Sequence, residues 1–296
     1  MSEKIAVIGL GQMGAGMARR LVSQGRDVAG YDINTQTRQA LAKEGMTVGD
    51  DVRSVLAGRS LILTSLPDPA ATRAAWLGEG GLVETAAKGD LIIDLSTIDP
   101  QTMKDVAAAA AKRGIDVLDS PVSGGPLEAE DGRLVLIVGG EEAAVKRADP
   151  VLKMLGSTYM HTGPVGTAKV VKLVNNMMSM GNILIACEAF ALGEAAGVDP
   201  EKLFEVISVS GGRSFHFQKR FPNVLKKNYQ PGFKMELGEK DLALAIEFAR
   251  SQRMPTPGAS AVRELMATAL SDGYRGQDVV ALHDMYRRWA EGGKKG

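Results

Sequence analysis

Lys4-Ile5-Ala6-Val7-Ile8, followed at once by Gly9-Leu10-Gly11-Gln12-Met13-Gly14, is the stretch from which the rest of the chain can be read. The first five residues are a short apolar run of the kind expected for a strand buried on both faces of a parallel sheet. The glycines let backbone amides approach a pyrophosphate at a helix N-terminus, where the dipole and the unpaired N–H groups favour an anion. A helix pattern follows, with Met17, Ala18, Leu21 and Val22 on one side and Gly25 at its end. Val28-Ala29-Gly30-Tyr31 reads as a second strand, and Asp32 stands at its end, about 20 residues beyond the glycines as a dinucleotide fingerprint requires. A lone G-x-G-x-x-G match is weak; strand, loop, helix, strand and acid in register make it specific. The Asp32 carboxylate is expected to accept hydrogen bonds from a ribose diol and to repel a 2′-phosphate, which favours NAD over NADP. Arg38 is the residue available to that phosphate if a loop folds back.

The alternation continues. Ser60 to Ser65, Leu91 to Leu95, Asp116 to Asp119 and Leu134 to Val138 read as strands. Ala70 to Trp76, Gln101 to Arg113 and Glu141 to Leu155 read as helices, the second with Asp99 as N-cap and Pro100 at its first position. Alternating strands and helices imply a parallel sheet with ligands at the C-terminal strand ends. Those ends carry Leu66, Pro67, Ser96, Thr97 and Ser123. The loop Asp119-Ser120-Pro121-Val122-Ser123-Gly124-Gly125-Pro126 sets a hydroxyl beside two side-chain-free amides, a run able to form an anion-binding concavity suited to a carboxylate.

From Gly163 to Gly197 an uninterrupted helical pattern runs far beyond the average helix of about 11 to 12 residues, so it is expected to join two bodies. Lys169, Lys172, Asn175, Asn176 and Ser179 cluster near its start. Residues at i, i+3 and i+4 share a face, which sets the Lys172 amine beside the amides of Asn175 and Asn176. On any single helix such residues are most often solvated first-turn groups. Hydride transfer to or from an alcohol needs a proton acceptor or donor within reach, and a lysine desolvated beside the Lys169 cation would have a lowered pKa. Beyond Asp199 the chain is helical, with segments from Asp199-Pro200, over Phe233 to Arg250, Pro257 to Leu270 and Asp278 to Trp289.

Composition narrows the field. The chain has 296 residues, 35 basic and 35 acidic side chains and a formal net charge of zero, so no field draws it to nucleic acid or an anionic membrane. Met1-Ser2-Glu3-Lys4 leads directly into the strand-like run with no leader pattern, and no apolar run is expected to span a membrane. Lys294 and Lys295 read as a frayed tail. Cys187 is the single cysteine, and His161, His216 and His283 are scattered without metal spacing. A cytoplasmic setting without metal or disulfide is expected.

Four segments together resemble the β-hydroxyacid dehydrogenases over nearly the whole chain: Gly-Leu-Gly-Gln-Met-Gly at Gly9, Asp-Ser-Pro-Val-Ser-Gly-Gly at Asp119, Lys-Leu-Val-Asn-Asn at Lys172 and Lys-Asp-Leu-Ala-Leu-Ala at Lys240. The resemblance, to relatives such as 3-hydroxyisobutyrate dehydrogenase and tartronate semialdehyde reductase, implies an α/β fold. It has an N-terminal Rossmann dinucleotide-binding domain (1–162), a long interdomain helix, and an all-α C-terminal domain for substrate and oligomerisation (163–296). It implies NAD(P)-dependent interconversion of a short β-hydroxyacid and its semialdehyde. Lys172 would be the acid/base; Asn175 and Asn176 would orient substrate, and Ser123, Gly124 and Gly125 would hold its carboxylate. Gly9, Leu10, Gly11, Gln12, Met13, Gly14 and Asp32 would hold the cofactor, Leu66, Pro67 and Thr97 would line its groove, and Lys240 and Asp241 would sit near the nicotinamide. Ser120 departs from the alanine common in the family. Arg213, in Ser210-Gly211-Gly212-Arg213-Ser214-Phe215, resembles a further substrate contact, with a surface or capping role as its alternative. A homodimer or homotetramer is implied, with Ile183 to Ala196, Phe190 and Leu192 included, contributing an interface. The other readings are a non-catalytic module of the same fold and an imine reductase relative; the former usually lacks the lysine, and both the lysine and the serine-glycine loop argue against the latter.

Overall fold

The computed structural model describes residues 3–292; Lys294 and Lys295, read above as a frayed tail, lie outside the described residues. The chain forms two compact units, the first ending at Lys172 and the second beginning at Leu173.

The first unit is α/β. Six short strands, β1 (Ile5–Ile8), β2 (Val28–Tyr31), β3 (Thr47–Val48), β4 (Leu61–Thr64), β5 (Leu91–Asp94) and β6 (Asp116–Asp119), form one parallel sheet in the order β3-β2-β1-β4-β5-β6. That order, with its reversal beside β1, defines the Rossmann topology and places the ligand crevice at the strand ends between β1 and β4. Strands β1, β4 and β5 are buried along their full length, as a sheet covered on both faces requires. Helices α1 (Gln12–Ser23), α2 (Thr35–Lys43), α3 (Val52–Leu56), α4 (Pro69–Leu77), α5 (Leu82–Thr85) and α6 (Pro100–Ala111) supply the cover. Odd and even strand residues feed different cores. Ile5, Val7, Leu61, Leu63, Leu91 and Ile93 pack with Met17, Ala18 and Leu21. Ala6, Ile8, Ile62 and Ile92 pack with Trp76 and Val106. Asp99 caps α6 through a 2.8 Å bond from Thr102 N, with Pro100 in the first turn, as the sequence predicts. Val22, read as part of the apolar face of α1, is instead exposed.

The strand predicted over Leu134 to Val138 exists but does not extend the parallel sheet. As β8 (Leu134–Val138) it forms a second, three-stranded sheet with β7 (Val122–Ser123), antiparallel to it, and β9 (Gly156–His161), parallel to it. α7 (Pro126–Asp131) and α8 (Glu142–Leu155) connect these strands. Gly132, left-handed at φ 69°, stops α7 and turns the chain into β8.

α9 (Thr167–Ala195) is a single helix of 29 residues. By length and composition alone it is long and apolar enough to cross a membrane, contrary to the expectation that no run is. Its apolar residues have another use: Met180, Ile183, Leu184, Cys187 and Phe190 belong to the buried core of the second unit. Burial pushes the Cys187 thiol far above its ordinary range.

The second unit is helical: α10 (Pro200–Val209), α11 (Phe215–Leu225), α12 (Met235–Ser251), α13 (Pro257–Ser271) and α14 (Leu282–Gly292), preceded by a 3₁₀ turn at Val279–Ala281. α11 has no counterpart in the sequence reading, and Pro222 lies inside it. Ser214 caps it, and Phe217 and Phe221 bury against Phe190 with ring centroids 6.2 and 5.1 Å away. That tertiary burial outweighs the backbone bond a proline removes.

The turn from β1 to α1 leaves no room for side chains. A Cβ on Gly14 would stand 1.9 Å from the Gly9 carbonyl oxygen, whereas one on Gly11 would meet no atom within 4 Å. Gly14→Ala is therefore expected to cost about 1–3 kcal/mol, the usual range for overpacking. Gly11→Ala is expected to leave the melting temperature close to that of the parent. Thermal melts of the two variants side by side check this; equal melting temperatures would contradict it.

Candidate active site

At the crevice, Gly9 holds φ at +89°, and a Cβ there would lie 2.2 Å from the Ser65 carbonyl oxygen beyond β4. Only glycine allows the two strand ends to approach so closely. The first turn of α1 is then left open: no side chain caps it and no acid stands in it. Its unpaired N–H groups, above the bare Gly11, form a ready anion site and fit a pyrophosphate. Leu10 is buried and Gln12 exposed, with Met13 between these extremes. Asp32, at the end of β2, accepts from Leu10 N at 2.7 Å through Oδ2 and from Asn34 N at 2.8 Å through Oδ1, so its carboxylate is tied to the glycine turn. Arg38 needs no loop to fold back. Its guanidinium donates to the Asp32 carbonyl oxygen at 2.6 Å and lies over the Tyr31 ring.

Across the crevice, Leu66 N donates to Ser96 Oγ at 2.9 Å, joining the segments after β4 and β5 that carry Leu66, Pro67 and Thr97. Beneath them lies a polar row that the sequence reading missed. Thr64, Asp94 and Asp119 are in register at the ends of β4, β5 and β6, and all three are fully buried. Thr64 Oγ1 donates to Asp94 Oδ2 at 2.5 Å, and Ser96 Oγ donates to the same oxygen at 3.1 Å. Lys169 completes the row. It is not a solvated first-turn residue: its exposure is 0%, and Nζ donates to Asp94 Oδ1 at 2.6 Å, Asp94 O at 3.0 Å and Ser96 O at 2.8 Å. The three N–H bonds of an ammonium are thereby satisfied. The Lys169 charge is thus matched by Asp94. Its visible signal was only a lysine three residues before Lys172 and an acid at the end of an apolar strand.

Asp119 faces the start of α9. Its Oδ1 accepts from Gly166 N at 2.9 Å and its Oδ2 from Lys169 N at 3.0 Å, so a strand residue caps a helix some fifty positions later. Burial raises the Asp119 pKa above the ordinary carboxylate range, against the opposing pull of the Lys169 charge and these two bonds. Ser120 is buried with no hydrogen-bond partner for its hydroxyl.

The loop beyond is more committed than its sequence suggests. Ser123 pairs with Val135 in the antiparallel ladder. Gly124 takes φ +135° against Leu134. Gly125 N already donates to Glu128 Oε2 at 2.8 Å, a partner the sequence reading did not foresee although glutamate three residues into a helix commonly reaches back in this way.

Lys172, half-buried, is the last residue of the first unit. In the second unit, Asn176 Nδ2 donates to Asp241 Oδ2 at 2.6 Å, and Asn175 Nδ2 donates to Asn176 Oδ1 at 3.1 Å. Lys240 Nζ stands 3.0 Å from Asp241 Oδ1, an ion pair outside hydrogen-bond geometry. Asn175, Asn176, Lys240 and Asp241 thus form one cluster. Arg213 is exposed just before α11, its backbone N–H on Ser210 O. His161 bonds the Gly140 and Gly163 carbonyls, and His283 bonds Glu194 and Tyr229. Among the described residues no group of three or more His, Cys, Asp or Glu is placed to hold a metal.

Residues 4–163 match the family model described as the NAD binding domain of 6-phosphogluconate dehydrogenase. Residues 166–286 match the one described as NAD-binding of NADP-dependent 3-hydroxyisobutyrate dehydrogenase. The chain is 34% identical over 275 residues to a 2-(hydroxymethyl)glutarate dehydrogenase of Eubacterium barkeri, covering 93% of this chain and 90% of that one. It is 35% identical over 294 residues to a 3-hydroxyisobutyrate dehydrogenase of Pseudomonas aeruginosa, covering 96% and 98%. Among solved structures, a 3-hydroxyisobutyrate dehydrogenase of Mycobacterium tuberculosis with L-serine aligns with a TM-score of 0.89 at 29% identity, over 97% of this chain and 100% of that one. With the Rossmann strand order, the open helix end above Gly11 and both family domains present in order, the chain belongs to the β-hydroxyacid dehydrogenase family.

Proposed function

We propose that this protein is an NAD-dependent oxidoreductase that interconverts a short-chain β-hydroxyacid, of the 3-hydroxyisobutyrate kind, with its semialdehyde. The observation that carries the reading is the fixed amide of Asn176, held by Asp241 at 2.6 Å, one helical turn beyond Lys172 on α9. An oriented amide beside an amine is what proton transfer at a substrate hydroxyl requires. Residues 1–162 would supply most of the cofactor site, and residues 163–296 most of the substrate and self-association surface.

Gly9 to Gly14 and Asp32 would hold the dinucleotide, Leu66, Pro67 and Thr97 would line its groove, and Lys240 with Asp241 would serve its nicotinamide end. When bound, the nicotinamide takes up or gives the hydride. Lys172 Nζ takes the hydroxyl proton as the alcohol is oxidised and returns it in reduction. An ordinary lysine amine titrates near 10.4, so at neutral pH such a group stands ready as the donor for reduction. Asn175 and Asn176 orient the hydroxyl. Ser123, Gly124 and Gly125 take the substrate carboxylate, and Gly125 must exchange Glu128 for it. Arg213 is the further candidate for an acidic substrate. The medium is reducing and cytoplasmic, consistent with the buried Cys187.

Lys172→Ala is expected to lower turnover by about 10²- to 10⁴-fold while NADH binding is kept. The assay is NADH formation with 3-hydroxyisobutyrate, glycerate, serine and 2-(hydroxymethyl)glutarate. Parent-like turnover in the variant, or no turnover of any of these acids by the parent, would sink the reading.

Asp32 supports NAD as the cofactor, since its carboxylate would face a 2′-phosphate. A kcat/KM for NAD at least about tenfold above that for NADP is expected, narrowed in Asp32→Asn. A preference for NADP would show instead that Arg38 decides.

Self-association is supported by a stripe on α9. Val171, Met178, Ile185 and Leu192 recur every seven residues, with Val174 between, and are 42% to 70% exposed. Phe190, expected among the interface residues, is buried in its own unit. We infer a homodimer or homotetramer through this stripe, which Ile185→Glu would weaken. Light scattering at micromolar concentration checks it; a parent mass of 31.3 kDa would refute it.

A further inference from the structure

A lysine with no solvent exposure is costly to keep, and a buried ion pair contributes little net stability that apolar residues of similar volume would not match. Lys169 is such a residue, and the mechanism above does not use it. Its partners suggest what it does. Through Asp94 and the Ser96 carbonyl it holds the segment after β5, and Ser96 in turn holds Leu66 N. Its own backbone N–H is held by Asp119 at the end of β6. One side chain therefore fastens the segments bearing Leu66, Pro67 and Thr97 to the helical turn bearing Lys172. An apolar side chain of equal size would fill the volume but could not fix the strand ends along defined hydrogen-bond directions.

We propose that Lys169 is a positioning residue: its buried ammonium sets the cofactor-lining strand ends in register with the turn of α9 that carries Lys172. The proposal rests on the assignment of Lys172 to proton transfer, and the two can fail separately. Lys169 touches no reacting atom, and its charge is matched by Asp94, so it acts through geometry.

Three variants test this: Lys169→Met, Asp94→Asn, and the two combined. The single Lys169→Met leaves the Asp94 carboxylate buried without its cation and is expected to melt lower. The combined variant removes both charges, and its melting temperature is expected to recover toward the parent value. A residue serving stability alone would regain function with that recovery. Instead, the combined variant is expected to bind NADH about fivefold more weakly or worse, by fluorescence titration. With the best acid of the panel above, its kcat is expected to fall about tenfold to a hundredfold. A primary deuterium isotope effect on kcat larger than the parent's would show that the hydride step itself has been slowed. Parent-like NADH affinity and kcat in the combined variant would overturn the proposal; should that variant not fold, the same values in Lys169→Met would do so. If Lys172→Ala keeps its turnover, the assignment of Lys172 falls, while the NADH arm still decides whether Lys169 organises the strand ends.

Discussion

The approach of Gly9 and Gly14 to each other and to Ser65 is the constraint on which the cofactor side of this protein depends. Backbone carbonyls occupy the positions that side chains would take, at 1.9 and 2.2 Å from the would-be Cβ atoms. Because nothing intervenes, α1 starts directly over the point where the strand order reverses, and its unpaired N–H groups open into the crevice. Asp32 is drawn into the same arrangement by the Leu10 amide, so the ends of β1 and β2 are fastened together at the place where a ribose and its phosphates would lie. The chemistry of the site is thus prepared by steric exclusion before any charged group is considered.

Much of this is legible in the sequence because it is local. The glycine spacing, Asp32 after the second strand, and Asp99-Pro100 at the head of α6 each signal through residues within a turn or two of one another. What escaped was non-local. Lys169 looks like a surface residue until Asp94, 75 positions earlier, is brought against it. β8 has the composition of a central strand, and only its pairing with β7 and β9 removes it from the parallel sheet. Pro222 argues against a helix that Phe217 and Phe221 nevertheless stabilise by burial against Phe190.

Site residues divide in the same way. The type of each residue could be matched to a family pattern, but its state of engagement could not. Gly125 carries a Glu128 carboxylate on its amide, Asn176 is already committed to Asp241, and Arg213 is exposed. In Phe190 and Leu192, two apolar residues of one helix segment, burial separates core from surface where hydrophobicity alone does not.

The cap that Asp119 provides to α9 has a consequence for how this chain tolerates change. Because the carboxylate grips the Gly166 and Lys169 amides from another element, the helix has a fixed origin, and every residue after it has a fixed azimuth. A single residue inserted between that origin and Lys172 would rotate the lysine by about 100° about the helix axis, while the composition and hydrophobicity of the segment stayed nearly the same. Length between Asp119's grip and Lys172 is therefore under stricter control than identity at most positions within it. Loops elsewhere in the unit can lengthen at small entropic cost, but this segment works as a phase setting, and drift in it would turn Lys172 away from its present face without unfolding the helix.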